Sequence, residues 1–386
     1  MIARLALDHE VEFASQIRTT QEIGLSKEKL EPLGVRFRAV RALNYRKTRL
    51  ARKILGVRWY VHYLLFGQSS RYFYWGHRVI IRQLRDIIHI DNYDIIHVSG
   101  WYCGDIFSHV SDGKIKVIDT IDVLFEKKEK EYLARFGKRL PFFRSRELHR
   151  DRAEELRITR LADVVISISD HDKKVFETLV PQSQHILIPM GQDIDFYKNY
   201  PRPVESYDPE VVFYGSLSSP QNVLALCRLY RKIFPLIKEK VPRVRLLVLG
   251  ASPPVEVVKW AQDGHTRITG FVDDVRPYLA RASVMVLPME IAGGFRSRTV
   301  EAMAMGIPIV GTSNALECLG LVQGREGIIA EDDRALAEKS VELLQNHELR
   351  KTIGEAGRRL VERKYSIEAT YGRLSEYYGT LSRSQQ

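Results

Sequence analysis

The chain has 386 residues, 45% hydrophobic and 28% charged, with a net charge of +11. This is the balance of a globular protein long enough for two cores, and it excludes a disordered or collagen-like polymer. The three cysteines, Cys103, Cys227 and Cys318, stand too far apart for a disulfide framework or a Cys-based zinc site.

At the start, Ile2, Leu5 and Ala6 predict a short helix and Val11–Ala14 a strand. No glycine-rich turn or strand precedes them. The opening strand of a doubly wound domain is therefore expected to be missing, or Met1 not to be the natural start. From Arg36 to Arg85 there are thirteen Arg or Lys residues, ten Phe, Tyr or Trp residues and no acid. Solvated surfaces mix signs, so this acid-free stretch carries the chain's whole positive excess and predicts an anionic partner with an apolar neighbour, which a phospholipid surface supplies. The apolar spacing of Leu50, Ile54, Val57, Val61 and Leu64 equally fits a core-facing helix with a basic outer side. Nucleic acid matches the charge but no binding module accompanies it.

Val- and Ile-rich runs then alternate with helical patterns, as in parallel sheets covered by crossover helices. In the first half the predicted strands are Val35–Val40, Ile95–Ser99, Val117–Asp119, Val164–Ile168 and His185–Ile188. In the second they are Val211–Tyr214, Arg245–Leu249, Arg267–Thr269, Val284–Leu287, Ile307–Val310 and Gly327–Ile329. The class is α/β with two doubly wound domains, 1–198 and 199–365, and a final helix, 366–386. Prolines and polar residues from Asp195 to Pro209 mark the expected hinge. No apolar run approaches the roughly 20 residues that span a bilayer, and no signal-peptide pattern opens the chain, so a cytoplasmic location is expected.

The run Ala292 to Val310 carries the most specific chemistry. Gly293 and Gly294 follow a strand and open a helix that stops at Gly306. Such a turn lets backbone N–H groups approach a ligand, and the helix N-terminus favours an anion. Arg296 and Arg298 add permanent charges suited to phosphate oxygens, and Glu301, about a turn into the helix, can accept from sugar hydroxyls. Each piece alone has an ordinary reading as a turn, a solvated arginine or a dipole-complementing acid.

Gly-Gly-Phe-Arg-Ser-Arg followed by Glu301-Ala-Met-Ala-Met-Gly-Ile-Pro308 resembles the retaining nucleotide-sugar glycosyltransferases of family 4, in the branch with Gly-Gly-x-Arg-x-Lys. Phe213-Tyr-Gly-Ser216, Gly250, Gly270-Phe-Val-Asp-Asp274 and Ile188-Pro-Met-Gly-Gln-Asp193 support the resemblance in order and spacing. It implies the GT-B fold, two Rossmann-like domains facing a cleft. Gly270, Phe271 and Val272 would meet the nucleobase and Glu301 the ribose. Gly294, Phe295, Arg296, Arg298 and Thr299 would surround the diphosphate, near Gly215 and Ser216, and Gly293, where many relatives have a Glu, would also belong to the donor site. Arg296 and Arg298 would stabilise the leaving diphosphate, with no metal and no cofactor beyond the sugar nucleotide.

The chain departs from the family in places. Arg298 stands where the branch has Lys, and Gln221 and Asn222 lie where a basic pair is common. Ile121 replaces a His that precedes an Asp, here Asp122. Asp122 is the candidate to orient or deprotonate an acceptor hydroxyl, although Asp119 and Asp122 could simply close a strand and cap the helix beginning near Leu124. The implied activity is sugar transfer to a glycan or lipid-linked glycan in cell-envelope polysaccharide synthesis, peripheral at the inner membrane face through residues 36–85, without nucleic acid. A non-catalytic nucleotide- or partner-binding protein and a sugar-nucleotide epimerase remain alternatives.

Overall fold

The computed structural model describes residues 1–17, 20–41, 78–137, 140–202, 208–290 and 297–383. Two compact units emerge, one of Met1–Pro189 with Tyr371–Gln386 and one of Met190–Thr370. All the paired strands are parallel, as the alternation of apolar runs with helical patterns requires.

In the first unit, β1 (Glu12–Ile17) pairs with β2 (Arg36–Arg41) across a crossover that contains the helix Thr20–Leu30. These two strands form a sheet of their own among the described residues. The second sheet runs in chain order through β3 (Ile95–Ser99), β4 (Ile115–Asp119), β5 (Val164–Ser167) and β6 (Gln184–Leu187). Val117, Ile118, Val164 and Val165 are buried, which explains why these strands read as continuous apolar runs rather than alternating ones. Leu374 and Tyr378 of the last helix, Arg373–Arg383, belong to this unit's core with Val117 and Ile166.

The second unit holds β7 (Glu210–Tyr214), β8 (Arg245–Leu249), β9 (Thr266–Gly270), β10 (Val284–Leu287), β11 (Ile309–Gly311) and β12 (Ile328–Ile329) in the order β12-β11-β10-β7-β8-β9. Counted within the unit this is the doubly wound 3-2-1-4-5-6 order, which reverses between β7 and β10. The unit begins ahead of the proline-rich segment, because Ile194 of the short helix Ile194–Lys198 is 4% exposed and sits in the core with Val211 and Phe213. Arg202 then fastens the following segment by donating to the carbonyls of Ala280, Ala282, Met305 and Gly306. The glycine expected to stop the helix Ser297–Ala304 is indeed left-handed, Gly306 having φ 74°.

Candidate functional site

Ligands of doubly wound sheets bind beyond the carboxyl ends of the strands, where the order reverses. Here that place is bounded by the ends of β7 and β10, and the chain supplies Tyr214, Gly215 and Ser216 on one side and the helix Ser297–Ala304 on the other. The loop after β7 is held closely against β8. Gly215 N–H donates to Leu249 and Leu217 N–H to Ala251, both at 2.9 Å. A Cβ on Gly250 would lie 2.0 Å from the Gly215 carbonyl oxygen, so only glycine fits there. Asn222 locks the turn by donating to the Ser216 carbonyl at 2.9 Å, and the Ser216 and Ser218 hydroxyls bond each other at 2.8 Å.

Tyr214 reaches across to the helix. Its hydroxyl donates to Glu301 Oε2 at 2.8 Å, and the Arg298 guanidinium lies over its ring, 5.5 Å from the centroid. Burial and then the Glu301 charge push the Tyr214 phenol far above its ordinary range, so it stays a neutral donor. The phenol of Tyr197, in the Ile194–Lys198 helix, is likewise raised by burial first and by the nearby Glu301 charge next. Glu301 is therefore a half-buried carboxylate held by the Tyr214 phenol, with the Tyr197 phenol close by, while Arg298 is exposed and Thr299 is buried.

The loop after β9 lies around the same phenol, since Arg276 and Asp274 also act on Tyr197. Gly270 is left-handed with φ 69°, and Phe271 is 75% exposed. Arg276 makes a forked pair with Asp274 and rests 3.6 Å from the centre of the Phe196 ring. Its hydrogen bonds hold the Asp274 carboxyl below the usual carboxylate range. Val272 lines a cavity of about 610 Å³ with Arg267, Asp273, Tyr278 and Arg281. None of Gly215, Ser216, Arg298 or Glu301 lines that cavity. Gly293, Gly294, Phe295 and Arg296 lie outside the described residues, as does most of the basic aromatic stretch, 42–77.

In the first unit, Asp122 is bound by an ion pair to Lys127 at 2.6 Å, its side chain 17% exposed. It does not cap the helix Leu124–Phe136. That role belongs to the buried Glu155, whose two oxygens accept from Leu124 N–H and Phe125 N–H at 3.0 Å each. Asp119 closes β4 and accepts from Ile121 N–H at 3.1 Å, and burial pushes its carboxyl up to about 6. Between them Ile121 is forced to φ 59°, a costly conformation for a β-branched residue. His97 is half-buried, shares a 2.9 Å hydrogen bond with Tyr378, and is lowered by desolvation to about 4, which keeps it neutral near pH 7.

Sequence reasoning missed Tyr214 as the holder of Glu301 and Tyr197 as its neighbour. The signal for Tyr214 was its place immediately before Gly215 at a strand end. Tyr197 gave no local signal, because Glu301 is remote from it in the chain. Among the described residues no group of acids, histidines and cysteines is arranged to hold a metal, and no helix is long and apolar enough to cross a membrane.

Residues 208–346 match a family model described as glycosyl transferases group 1. The chain is 29% identical over 161 residues to the capsular polysaccharide biosynthesis glycosyltransferase CapM of Staphylococcus aureus, covering 40% of this chain and 42% of that one. It thus spans about two fifths of that relative. Among solved structures, sucrose-phosphate synthase from Thermosynechococcus elongatus superposes with a TM-score of 0.64 at 16% identity, covering 97% of this chain and 100% of that one. Anabaena HepE in complex with UDP-glucose gives 0.60 at 14% identity, with 96% and 99% covered. The fold is that of the GT-B glycosyltransferases, and the second unit carries a glycosyl transferases group 1 domain.

Proposed function

We propose that this chain transfers a sugar, with retention, from a nucleoside-diphosphate donor to a glycan or lipid-linked glycan in cell-envelope polysaccharide synthesis. The observation that carries the reading is the Arg298–Tyr214–Glu301 array at the strand-order reversal of the group 1 domain. The CapM match and a neighbour that binds UDP-glucose support an envelope role and a nucleotide-sugar donor.

Glu301 would accept from the ribose hydroxyls through the oxygen capacity the Tyr214 phenol leaves open. As the glycosidic bond loosens, negative charge grows on the leaving diphosphate. A fixed cation there stabilises that state more than the bound substrate. Arg298 supplies it from the described residues, and Arg296 would join it from the segment 291–296. Neither needs a metal, so transfer should persist in a chelator. On the acceptor side Asp122 would orient the incoming hydroxyl once it exchanges Lys127 for substrate. Residues 36–85 would hold the chain peripherally on anionic lipid at the cytoplasmic face.

A thermal-shift series with UDP, GDP and ADP and their sugars, followed by transfer assays, tests the reading. One nucleotide family should stabilise the protein. Arg298→Ala should lower the transfer rate about a hundredfold while the fold is kept. Stabilisation by no nucleotide, or unchanged transfer in Arg298→Ala, refutes it.

A further inference from the structure

Strand β6 is the outer strand of its sheet among the described residues. On its inner side it is engaged with β5, Gln184 N–H donating to Asp163 at 2.8 Å and Ile188 N–H to Ser167 at 2.9 Å. In a parallel ladder, successive residues turn their N–H and C=O groups to opposite sides. The backbone groups of His185 and Leu187 therefore face away from β5, and no described strand pairs with them.

Helices on both faces of the sheet reach over that open edge. The helix Asp170–Leu179 packs on one face, where Phe176 shares a core with Val165. The last helix, Arg373–Arg383, packs on the other, where Leu374 shares a core with Ile166, the next residue along β5. The first helix brings Lys173 and the second Arg373 and Tyr377, and with His185 and Leu187 these side chains line a cavity of about 330 Å³. Among the described residues no acid lines it. Lys173 pairs with Glu177 at 2.6 Å, which occupies one of the three donors of its ammonium group. Arg373 is exposed, and its guanidinium has no ion pair or hydrogen bond among the described residues. The Tyr377 hydroxyl is shut from solvent without a hydrogen-bond partner, and burial holds its phenol above the ordinary range, so it stays a donor.

We propose that this cavity binds a small phosphorylated polyol of the sugar-phosphate class, with its phosphate between Arg373 and Lys173 and its hydroxyls on the open backbone groups of His185 and Leu187. Two cations reaching in from opposite faces suit a dianion, and the Arg373 guanidinium has the forked geometry that matches phosphate oxygens. Backbone groups that both donate and accept suit hydroxyls, which do the same. The volume stands at the lower end of small-molecule sites, about 300–1,000 Å³, which fits a ligand of monosaccharide size. An added peptide strand would satisfy the edge but would leave the two cations without a use. The cavity belongs to the first unit and the Arg298–Tyr214–Glu301 array to the second, so this site and the transfer reading stand or fall separately.

The full chain is titrated calorimetrically with glucose 6-phosphate, inorganic phosphate and glucose at constant ionic strength. Glucose 6-phosphate should bind saturably, inorganic phosphate about tenfold more weakly, and glucose not measurably. Arg373→Ala and Lys173→Ala should each weaken glucose 6-phosphate binding about tenfold, the size of one charge-assisted contact, and Arg373→Lys should recover part of the loss. Arg298→Ala, in the other unit, should bind it as the wild type does. Arg373→Ala should also melt as the wild type does, since its guanidinium is exposed and unpaired. Absence of binding by both phosphate compounds, glucose binding as tightly as its phosphate, or unchanged affinity in both alanine variants would overturn the site. So would an early melt of Arg373→Ala, which would make its guanidinium a structural partner, or loss of binding in Arg298→Ala, which would put the ligand in the donor site.

Discussion

The two phenols beside Glu301 give the sharpest test of how the site is built. Tyr214→Phe removes only the hydroxyl that donates to Oε2 at 2.8 Å and leaves the ring under Arg298. A hydrogen bond to a charged group contributes about 1.5–3 kcal/mol net. Because Glu301 is only half-buried and the Tyr197 phenol stays beside it, the loss should fall at the low end, about 1.5 kcal/mol, and Tyr197→Phe should cost less. In a unit of this size the Tyr214→Phe loss is a fall of roughly 3–6 °C in the unfolding transition. With both hydroxyls gone, a half-buried carboxylate keeps neither phenol, so the double variant should lose about 1 kcal/mol more than the sum of the singles. Calorimetry reads the stabilities, and titration with the nucleotide that stabilises the wild type reads the site, where Tyr214→Phe should weaken binding about tenfold and Tyr197→Phe by less. Strictly additive losses with unchanged nucleotide affinity would show that the phenols do not orient Glu301, and the reasoning would fail.

Other expectations are independent of that pair. Gly250→Ala places a methyl 2.0 Å from the Gly215 oxygen and 3.3 Å from Leu217 Cγ; it should cost about 3 kcal/mol by forcing the Gly215–Leu217 loop outward, and a wild-type melt would contradict the close approach. Ile121→Gly relieves the φ of 59° and should stabilise the first unit by about 1 kcal/mol, measured by urea denaturation. Asp119 is raised to about 6 from 3.8 by burial, so the folded state holds its proton more tightly than the unfolded chain. Stability should therefore fall as pH rises from about 4 to about 6, by up to about 3 kcal/mol, and level off above. Asp119→Asn should flatten that slope, which stability curves at pH 4, 5, 6 and 7 would show.

The sequence by itself determined the α/β class, since strands buried on both faces must be apolar throughout, and β3, β8 and β10 have the bounds their Val, Ile and Leu runs predict. It also located the helix that carries Arg298 and Glu301 and its stop at Gly306, because helix pattern, glycine stop and charge are local in the chain. The pairing of strands was beyond its reach: the 3-2-1-4-5-6 order, which makes the ends of β7 and β10 neighbours, is set by contacts between remote segments. The same is true of individual roles. Asp122 and Glu155 are both plausible caps on paper, yet only the packing of the helix Phe142–Thr159 brings the Glu155 carboxylate to the amides of Leu124 and Phe125. Likewise Tyr214, Tyr197 and Glu301 meet only in the folded unit. Local propensity acts over a few residues, whereas the partners of a half-buried carboxylate are chosen by whichever elements the core draws together.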